Sequence, residues 1–581
     1  MSNMIKTSQE SSLLCNQHNV TPSYNTAVNH NRIDYNQNQE EETAAAPRCK
    51  CVTTQYYILA STATVCCLTL MALFSGTLSF DILKWFKSSS SVKVEEYTTP
   101  ILSSQSSQSS SFPDNFVWGT GTSAYQIEGA AAEDGRTASI WDTFCTEQPN
   151  NILDKSNGDI ACDHYHLFEQ DVLLMKEMGL KHYRLSISWT RILPHGDSRS
   201  EINPAGIHYY NRLLDTLLQH NIEPWVTLHH WDVPQTLFDS YGGWMNRAII
   251  QDFTYFARVC FQSFGHKVKH WVTINESWTI AVNGYASGVH APGRFQRPDV
   301  EPYVVGHHLL LAHAQVVKLY RTEFAPYHRK DGDGGGGVIG ISNSGDYRYP
   351  KDLHSEDDIS AAERSMEFQL GWFSDPIWNG DYPLSMRQRL GDRLPYFTDE
   401  EREGLLGSSD FLGLNHYSSM VVSQPAEPKT FGGYWGNDMF VNIHDNPNWK
   451  TNCMGWNIAP EGMKDMLLWI DQRYNQNITI YITENGSCED EPNVETARHD
   501  IKRQTYLEAY IQSVAEAIVE GGVKVGGYFA WSFMDNFEWQ FGYQRRFGLY
   551  YVDFDTLERT PKQSALWYRD TIKMNGANIG K

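Results

Sequence analysis

Eight short apolar runs recur between residues 112 and 575, and helix-like or loop segments separate them. The runs are rich in β-branched and aromatic residues, which favour buried strands. Amphipathic segments such as 163–178 and 209–220 predict helices between them. This alternation predicts a parallel sheet, and eight repeats predict an α/β protein whose sheet closes into a (β/α)8 TIM barrel. The runs begin near Phe116, His182, Pro224, Trp271, Val338, Phe411, Ile478 and Val525.

The N-terminal part of the chain has a different composition. Residues 1–55 are polar and rich in Asn and Gln, which is typical of a disordered tail. Residues 56–80 carry no charged side chain, and as a helix they would span about 37 Å, more than a hydrocarbon core of about 30 Å. They predict a transmembrane signal-anchor helix, with a buried or cleaved segment as the alternative. Residues 81–111 predict a flexible Ser/Gln-rich linker to a barrel domain over residues 112–575.

The orientation of such a helix does not follow from the flanking charges. Arg48 and Lys50 precede residues 56–80, and Lys84, Lys87 and Lys93 follow them, so the balance of basic residues does not decide it. A signal anchor with a cytoplasmic N-terminus would place the barrel in a lumen or outside the cell. We therefore expect a single-pass membrane protein with a lumenal or extracellular barrel.

The net charge argues against nucleic acid as a partner, and the cysteine spacing argues against a structural metal site. A formal net charge of -22 disfavours nucleic acid as a partner, because phosphate backbones require basic surfaces. None of the ten cysteines forms a CxxC pair, so we expect no structural metal. Five cysteines lie in the barrel domain, which leaves at least one thiol free even if disulfides form. Their positions are 145, 162, 260, 453 and 488.

Two glutamates close the fourth and seventh apolar runs. Glu276 ends HWVTINE, and Glu484 ends ITIYITE. A carboxylate at the end of a buried strand is costly unless it has a partner or a use. The C-terminal ends of barrel strands are where active sites form. Two carboxylates at such a site are the pair that glycoside hydrolysis requires.

Other polar and aromatic side chains follow the predicted strands at the same end of the barrel. They combine hydrogen-bonding groups with flat aromatic rings, which is how a neutral sugar is held. The groups are SAYQIEG after the first run, YRLSISW in the second, TLHHWD in the third, NHY in the sixth, and WS with DNFEW in the eighth.

These motifs identify a family resemblance. The domain resembles glycoside hydrolase family 1, the β-glucosidase family, from residue 112 to about 568. The resemblance implies a (β/α)8 barrel whose catalytic glutamates end the fourth and seventh strands. The matching motifs, in order, are FVWGTGTSAYQIEG, YRLSISWTRI, VTLHHWDVP, FSDPIWNGDYP, DFLGLNHYSS, YITENG, WSFMDNFEW and GYQRRFGLYYVD.

The resemblance also implies roles for the central residues. Glu484 would be the nucleophile and Glu276 the general acid and base. Arg184 and Tyr417 would surround the nucleophile and keep it ionised. The chain departs from the family at Ser277, where proline is usual, so we expect the loop after Glu276 to sit differently.

Sugar contacts carry over from the family in the same way. Asn275 would bond the sugar 2-hydroxyl, a contact that strengthens in the transition state. The other substrate-binding residues would be Gln126, His230, Tyr417, Trp531, Glu538 and Trp539. No metal or organic cofactor is implied.

The sequence therefore predicts a retaining, exo-acting β-glycosidase that removes a terminal β-linked sugar, with β-D-glucose the first choice. Its partners would be a small β-glucoside or oligosaccharide and, through the N-terminal helix, a membrane. Two alternatives stay open. One is a sugar-binding receptor or scaffold on a catalytically dead barrel, and the other is a transglycosidase, which would use the same residues.

Overall fold

The computed structural model describes residues 112–328, 337–426, 434–474 and 478–580. The predicted N-terminal tail, transmembrane helix and linker, residues 1–111, lie outside these ranges. Within the ranges, no helix combines the length and the apolar character needed to cross a membrane.

Eight parallel strands form a closed barrel, as the sequence predicts. Each strand pairs with its neighbours in the chain, and the eighth pairs with the first through Gly121 and Trp531. The largest offset from a predicted start is in the seventh strand, which begins at Ile480. The strands are β1 Val117–Gly121, β2 His182–Ser186, β3 Glu223–His229, β4 His270–Asn275, β5 Val338–Ser344, β6 Leu412–Asn415, β7 Ile480–Asn485 and β8 Val525–Trp531.

Helices follow every strand in the chain. The helix predicted at 209–220 begins earlier, at Pro204, because Asn203 caps it through a side-chain bond to the amide of Ala205 (3.2 Å). Proline suits the first helical position, where an N–H has no intrahelical acceptor. The longer helices are His164–Glu177, Pro204–Gln219, Ile249–Phe264, Glu301–Leu319, Glu356–Met366, Glu461–Arg473, Ile501–Val519 and Gln563–Lys573.

Large aromatic side chains fill the lower part of the barrel interior. Trp225, Phe411 and Phe529 form a buried cluster there, together with valines of β1 and β4. Glycines on adjacent strands make room for these rings. A Cβ at Gly119 would lie 2.5 Å from the Phe529 ring, and one at Gly340 would lie 2.7 Å from the Phe411 ring. The barrel therefore has a packed apolar floor beneath its C-terminal mouth.

Shorter elements lie in the connections between the barrel strands. The connections that follow β5 and β6 contribute a three-stranded sheet of Tyr347–Pro350, Ser419–Ser423 and Asn442–His444. Two further hairpins pair Lys450–Thr451 with Asn457–Ile458 and Tyr550–Val552 with Arg559–Pro561. Short helices complete the connections: Ala124–Ile127, Ile140–Glu147, Trp189–Ile192, Gln235–Tyr241, Ser277–Tyr285, Trp372–Trp378, Leu384–Leu390, Asp399–Leu405, Trp435–Met439 and Val494–Ala497.

Candidate active site

Both glutamates lie where β4 and β7 end, and both strands are irregular at that point. The register of β4 against β5 shifts between Val272 and Asn275, just before Glu276. The register of β7 against β6 shifts between Ile482 and Glu484. Such irregularities bend a strand locally and re-aim the side chains that follow. The site is therefore built on strands whose ends turn away from the regular ladder.

Glu276 occupies the turn between β4 and the next helix. Its backbone is left-handed (φ 52°), and its amide donates to the carbonyl of Ser342 (2.8 Å). Ser277 is the first residue of the helix Ser277–Tyr285, a position that also favours proline. Ser277, where the resemblance implies proline, therefore starts a helix directly after the carboxylate.

The Glu276 carboxyl group is buried, with an exposed fraction of 8% for the residue. Thr279 Oγ1 donates to Oε2 (2.6 Å), and Asn415 Nδ2 donates to Oε1 (2.8 Å). Burial, and then the negative charge of Glu484, raise the pKa of Glu276 to about 7, while the two hydrogen bonds act in the opposite direction. Near neutral pH this carboxyl group can therefore both give and take a proton.

Glu484 has a different set of partners. Arg184 donates from Nη1 to Oε1 (2.5 Å), and the Tyr417 hydroxyl donates to Oε2 (2.8 Å). A cation and a hydrogen-bond donor both favour the charged form of a carboxylate. Burial and the charges of Glu484 and Glu276 raise the pKa of Tyr417 well above its usual value, so its hydroxyl keeps the proton that it donates.

Asn275 connects these groups. Its Oδ1 accepts from Arg184 Nη2 (2.6 Å) and from Asn415 Nδ2 (3.1 Å). Its Nδ2 lies 3.0 Å from His230 Nε2. Burial and the nearby Arg184 lower the pKa of His230 well below its usual value, so the ring is neutral and Nε2 accepts. The His230 proton is then on Nδ1, which is buried and has no hydrogen-bond partner in the described part of the chain.

Glu538 and Gln126 lie on the side of β8 and β1. Burial, followed by the charges of Glu484 and Glu276, raises the pKa of Glu538 well above its usual value. Within the described ranges its Oε2 is buried without a hydrogen-bond partner, an arrangement that calls for a ligand or water. Gln126 Nε2 donates to Asn536 Oδ1 and to the carbonyl of Phe537, both at 2.9 Å. Ser123 Oγ donates to Gln126 Oε1 (2.7 Å), so the protein already holds both ends of the amide and one acceptor position remains on Oε1.

Aromatic rings enclose the polar groups. Trp531 stacks on His230 with ring centroids 5.9 Å apart, and Trp539 stacks on the same ring at 6.0 Å. Trp539 also packs against Trp231 at 4.4 Å and Trp141 at 4.6 Å. Trp531 and Trp539 are each only 4% exposed. They form apolar walls of the kind that contact the faces of a sugar ring.

A buried charge cluster supports the loops after β7 and β8. Lys562 Nζ donates to Glu491 and to Asp535 (2.7 Å), and Arg546 Nη1 donates to the second oxygen of Asp535 (2.7 Å). Nearby cations, Lys562 first, outweigh burial and lower the pKa of Asp535. Asp535 directly precedes Asn536, whose side chain accepts from Gln126 Nε2. The charge cluster therefore holds one side of the site in place.

The structure brings all the predicted site residues together at one end of the barrel, and it adds others. Asn415, the last residue of β6, bonds both Asn275 and Glu276, and Thr279 bonds Glu276. Asn415 could have been found from the sequence, because it ends a predicted strand beside Tyr417. Thr279 lies inside a helix and gave no comparable signal.

Comparisons with known proteins identify the family that this chain is similar to. The profile of glycosyl hydrolase family 1 matches residues 108–577. Beta-glucosidase 42 of Arabidopsis thaliana is 44% identical over 483 residues, which cover 81% of this chain and 96% of the relative. Raucaffricine-O-beta-D-glucosidase of Rauvolfia serpentina is 43% identical over 509 residues, which cover 80% and 92%.

Solved structures of β-glucosidases are also similar to this chain. A rice β-glucosidase variant in a covalent complex with Glc has a TM-score of 0.75 and 42% identity, covering 79% of this chain and 98% of that chain. Beta-glucosidase 2 of Trichoderma reesei in complex with Tris has a TM-score of 0.75 and 43% identity, covering 81% and 100%.

The contact of Arg184 with Glu484 leads to a stability prediction. Arg184→Met should destabilise the protein by about 3–5 kcal/mol, because it leaves a buried carboxylate without its cation. Arg184→Met combined with Glu484→Gln should cost less than the sum of the two single changes. Urea unfolding of the four proteins measures this coupling. Arg297→Met, at an exposed pair with Asp299, is the control and should leave the midpoint unchanged. The prediction would be contradicted if the loss in free energy of unfolding in the double variant equalled the sum of the losses in the two single variants.

Proposed function

The chain belongs to glycosyl hydrolase family 1, and on this premise we propose that Glu484 is the nucleophile and Glu276 the general acid and base of a retaining β-glucosidase. The observation that carries the assignment is the contrast between two neighbouring carboxyl groups. Glu484 is bonded by a cation and a phenol, whereas burial and a neighbouring charge raise the pKa of Glu276 to about 7. Two carboxyl groups in such different environments suit different roles, here the nucleophile and the general acid and base.

In the first step a carboxylate oxygen of Glu484 attacks the anomeric carbon, and the bond to the leaving oxygen breaks. Glu276 gives its proton to that oxygen, so the aglycone leaves as a neutral alcohol and glucose stays as an ester of Glu484. Arg184 and Tyr417 hold the attacking carboxylate in place. Asn275, fixed by Arg184 and His230, would bond the 2-hydroxyl as positive charge develops on the ring.

In the second step water attacks the same carbon from the side that the aglycone left. Glu276, now ionised, takes the proton of the water, the ester bond breaks, and Glu484 is released as a carboxylate. The anomeric configuration is inverted twice and therefore retained. A pKa of about 7 allows Glu276 to act as acid in one step and as base in the next.

We propose a terminal, non-reducing β-D-glucosyl unit as the sugar. The free Nδ1 of His230 and the unpaired carboxyl group of Glu538, both without protein partners among the described residues, would bond its hydroxyls. Trp531 and Trp539 would pack on its apolar face. A buried carboxyl group at Glu538 disfavours a phosphorylated sugar. The curated relatives support glucose, since their names describe β-glucosidases.

The receptor alternative receives no support from the site. Both carboxyl groups are present, and each has a complete set of supporting donors.

We also propose that residues 56–80 anchor the enzyme in a membrane, with the barrel in a lumen or outside the cell. The charge-free sequence of that segment supports the anchor. A disulfide between Cys453 and Cys488 supports the location, because disulfides persist in oxidising compartments.

Substitution of the two glutamates should separate their roles. Glu484→Gly should lower kcat by roughly 10⁴-fold or more for every substrate, because no nucleophile remains. Glu276→Ala should lower kcat by about 10²–10⁴-fold for poor leaving groups and spare the first step for an activated aryl glucoside, which needs no protonation. Steady-state and burst kinetics measure both effects. Glu403→Ala, in the exposed part of the helix Asp399–Leu405, is the control. Equal losses of the first step in both variants would contradict the assignment.

The pH dependence of kcat/KM should change when Thr279 is substituted. As pH rises through the pKa of Glu276, the acid form is lost, so kcat/KM should fall above about pH 7. Thr279→Val removes a hydrogen bond that lowers this pKa, and the alkaline limb should move up by about one pH unit. The control is Thr254→Val, whose hydroxyl bonds only a carbonyl of its own helix in the described structure. A limb that stays in place or moves down would contradict the prediction.

Removal of the proposed membrane anchor should leave the catalytic activity of the barrel unchanged. Residues 112–581 should remain soluble and keep full kcat/KM on small glucosides, while the intact chain should resist carbonate extraction from membranes. In sealed vesicles the barrel should be protected from added protease. The control is the full chain lacking only residues 56–80, which carbonate should release from membranes. A soluble intact chain, or digestion of the barrel in sealed vesicles, would overturn the proposed location and leave the catalytic roles unaffected.

A further inference from the structure

A disulfide joins two loops at the mouth of the barrel. Cys488 follows Glu484 by four residues, at the end of β7, and is 1% exposed. Cys453 lies in the connection between β6 and the helix Glu461–Arg473, three residues before Trp456. The other three cysteines of the described chain, at positions 145, 162 and 260, are buried thiols. The bond therefore ties the nucleophile strand to the loop that carries Trp456.

The disulfide belongs to a small hydrophobic cluster separate from the main core. The cluster contains Cys488, Trp531 and Phe547, and Cys453, Met454, Trp456 and Tyr417 pack against it. The Tyr417 ring lies 5.4 Å from Trp456 and 6.1 Å from Phe547, measured between centroids. The phenol that donates to Glu484 is thus held from two sides, and one side is the disulfide-linked loop.

The two linked loops are anchored unequally. On the β7 side, Arg503 Nε donates to the carbonyl of Ser487 (3.1 Å), and Glu489 bonds the backbone of Arg546 (3.2 Å). On the other side, the hydrogen bonds described for residues 452–456 stay within the loop, and bonds to another segment begin at Asn457, which bonds Ser418 and Ser419 (both 3.0 Å). Asn452 Oδ1 accepts from the amides of Met454 and Trp456. The loop is a compact turn, and Cys453 is its covalent connection to the nucleophile strand.

We propose that the Cys453–Cys488 disulfide is a positioning element for the nucleophile. By holding the 452–456 loop against β7, it keeps Trp456 on Tyr417 and so keeps the Tyr417 hydroxyl on Glu484. The inference rests on the proposed role of Glu484. Without the bond, Trp456 withdraws and Tyr417 donates less well to the carboxylate. Glu484 then attacks less well, because the hydrogen bond that orients its carboxylate is weakened.

The test compares the full chain with its Cys453→Ser/Cys488→Ser variant, using an activated aryl glucoside. The variant should lose about tenfold in kcat, the size expected when one hydrogen bond to a charged group weakens. The loss should appear in kcat at saturating substrate, because the weakened step is the attack of Glu484. A purely structural crosslink would lower the unfolding temperature and leave kcat unchanged.

Chemical reduction gives a second measurement on the wild-type protein, which remains informative if the variant folds poorly. Dithiothreitol supplies two electrons and two protons to the disulfide and becomes a cyclic disulfide. Activity should fall as Cys453 and Cys488 are reduced and should return on reoxidation, with circular dichroism unchanged. The serine variant, which keeps the other eight cysteines of the chain, is the control, and its activity should not respond to the reductant.

Two results separate this inference from its premise. An unchanged kcat in both the variant and the reduced protein would overturn the positioning role, even if thermal stability falls. Retained activity in Glu484→Gly would instead overturn the assignment of the nucleophile.

Discussion

The guanidinium group of Arg184 is the interaction on which the site depends. It is fully buried, projects from β2, and donates to Glu484 at the end of β7 and to Asn275 at the end of β4. A buried charge is tolerated only when it is paired and hydrogen bonded. Arg184 meets this requirement by bonding side chains on strands that lie apart in the barrel. Pairing the cation and aligning the strands that end at Glu276 and Glu484 are therefore one constraint.

The remaining polar groups of the site follow from that constraint. Asn275, held by Arg184, accepts from Asn415 and donates to His230, and Asn415 in turn bonds Glu276. Each group has its orientation set by a neighbour, so little rearrangement is needed when charge moves during reaction. Arg184 Nε, His230 Nδ1 and Glu538 Oε2 are exceptions, because they are buried without a partner in the described structure. The last two are the groups that we propose a sugar bonds.

Much of this could be predicted from sequence because the relevant signals are local. Strand–helix alternation gave the barrel, and the ends of apolar runs gave Glu276 and Glu484. Part of what could not be predicted depends on contacts between distant segments. The pairing of Cys453 with Cys488 among five cysteines arises only when loops from different strands meet. The bond from Thr279 to Glu276 spans only three residues, but Thr279 lies inside a helix and the sequence carried no signal for it. The early start of the helix at Pro204 was missed because its first turn lacks an apolar stripe, although Asn203 and Pro204 are start signals.

The irregular register at the ends of β4 and β7 has a consequence for how such a chain can change over time. Successive residues of a strand face opposite sides, so adding or removing one residue between His270 and Glu276 would turn the carboxylate toward the helices. The same holds from Ile480 to Glu484. The connections beyond these points can lengthen, shorten and acquire new partners such as a disulfide. Variation in substrate choice is therefore free to accumulate in the loops, while the number of residues from strand start to glutamate stays fixed.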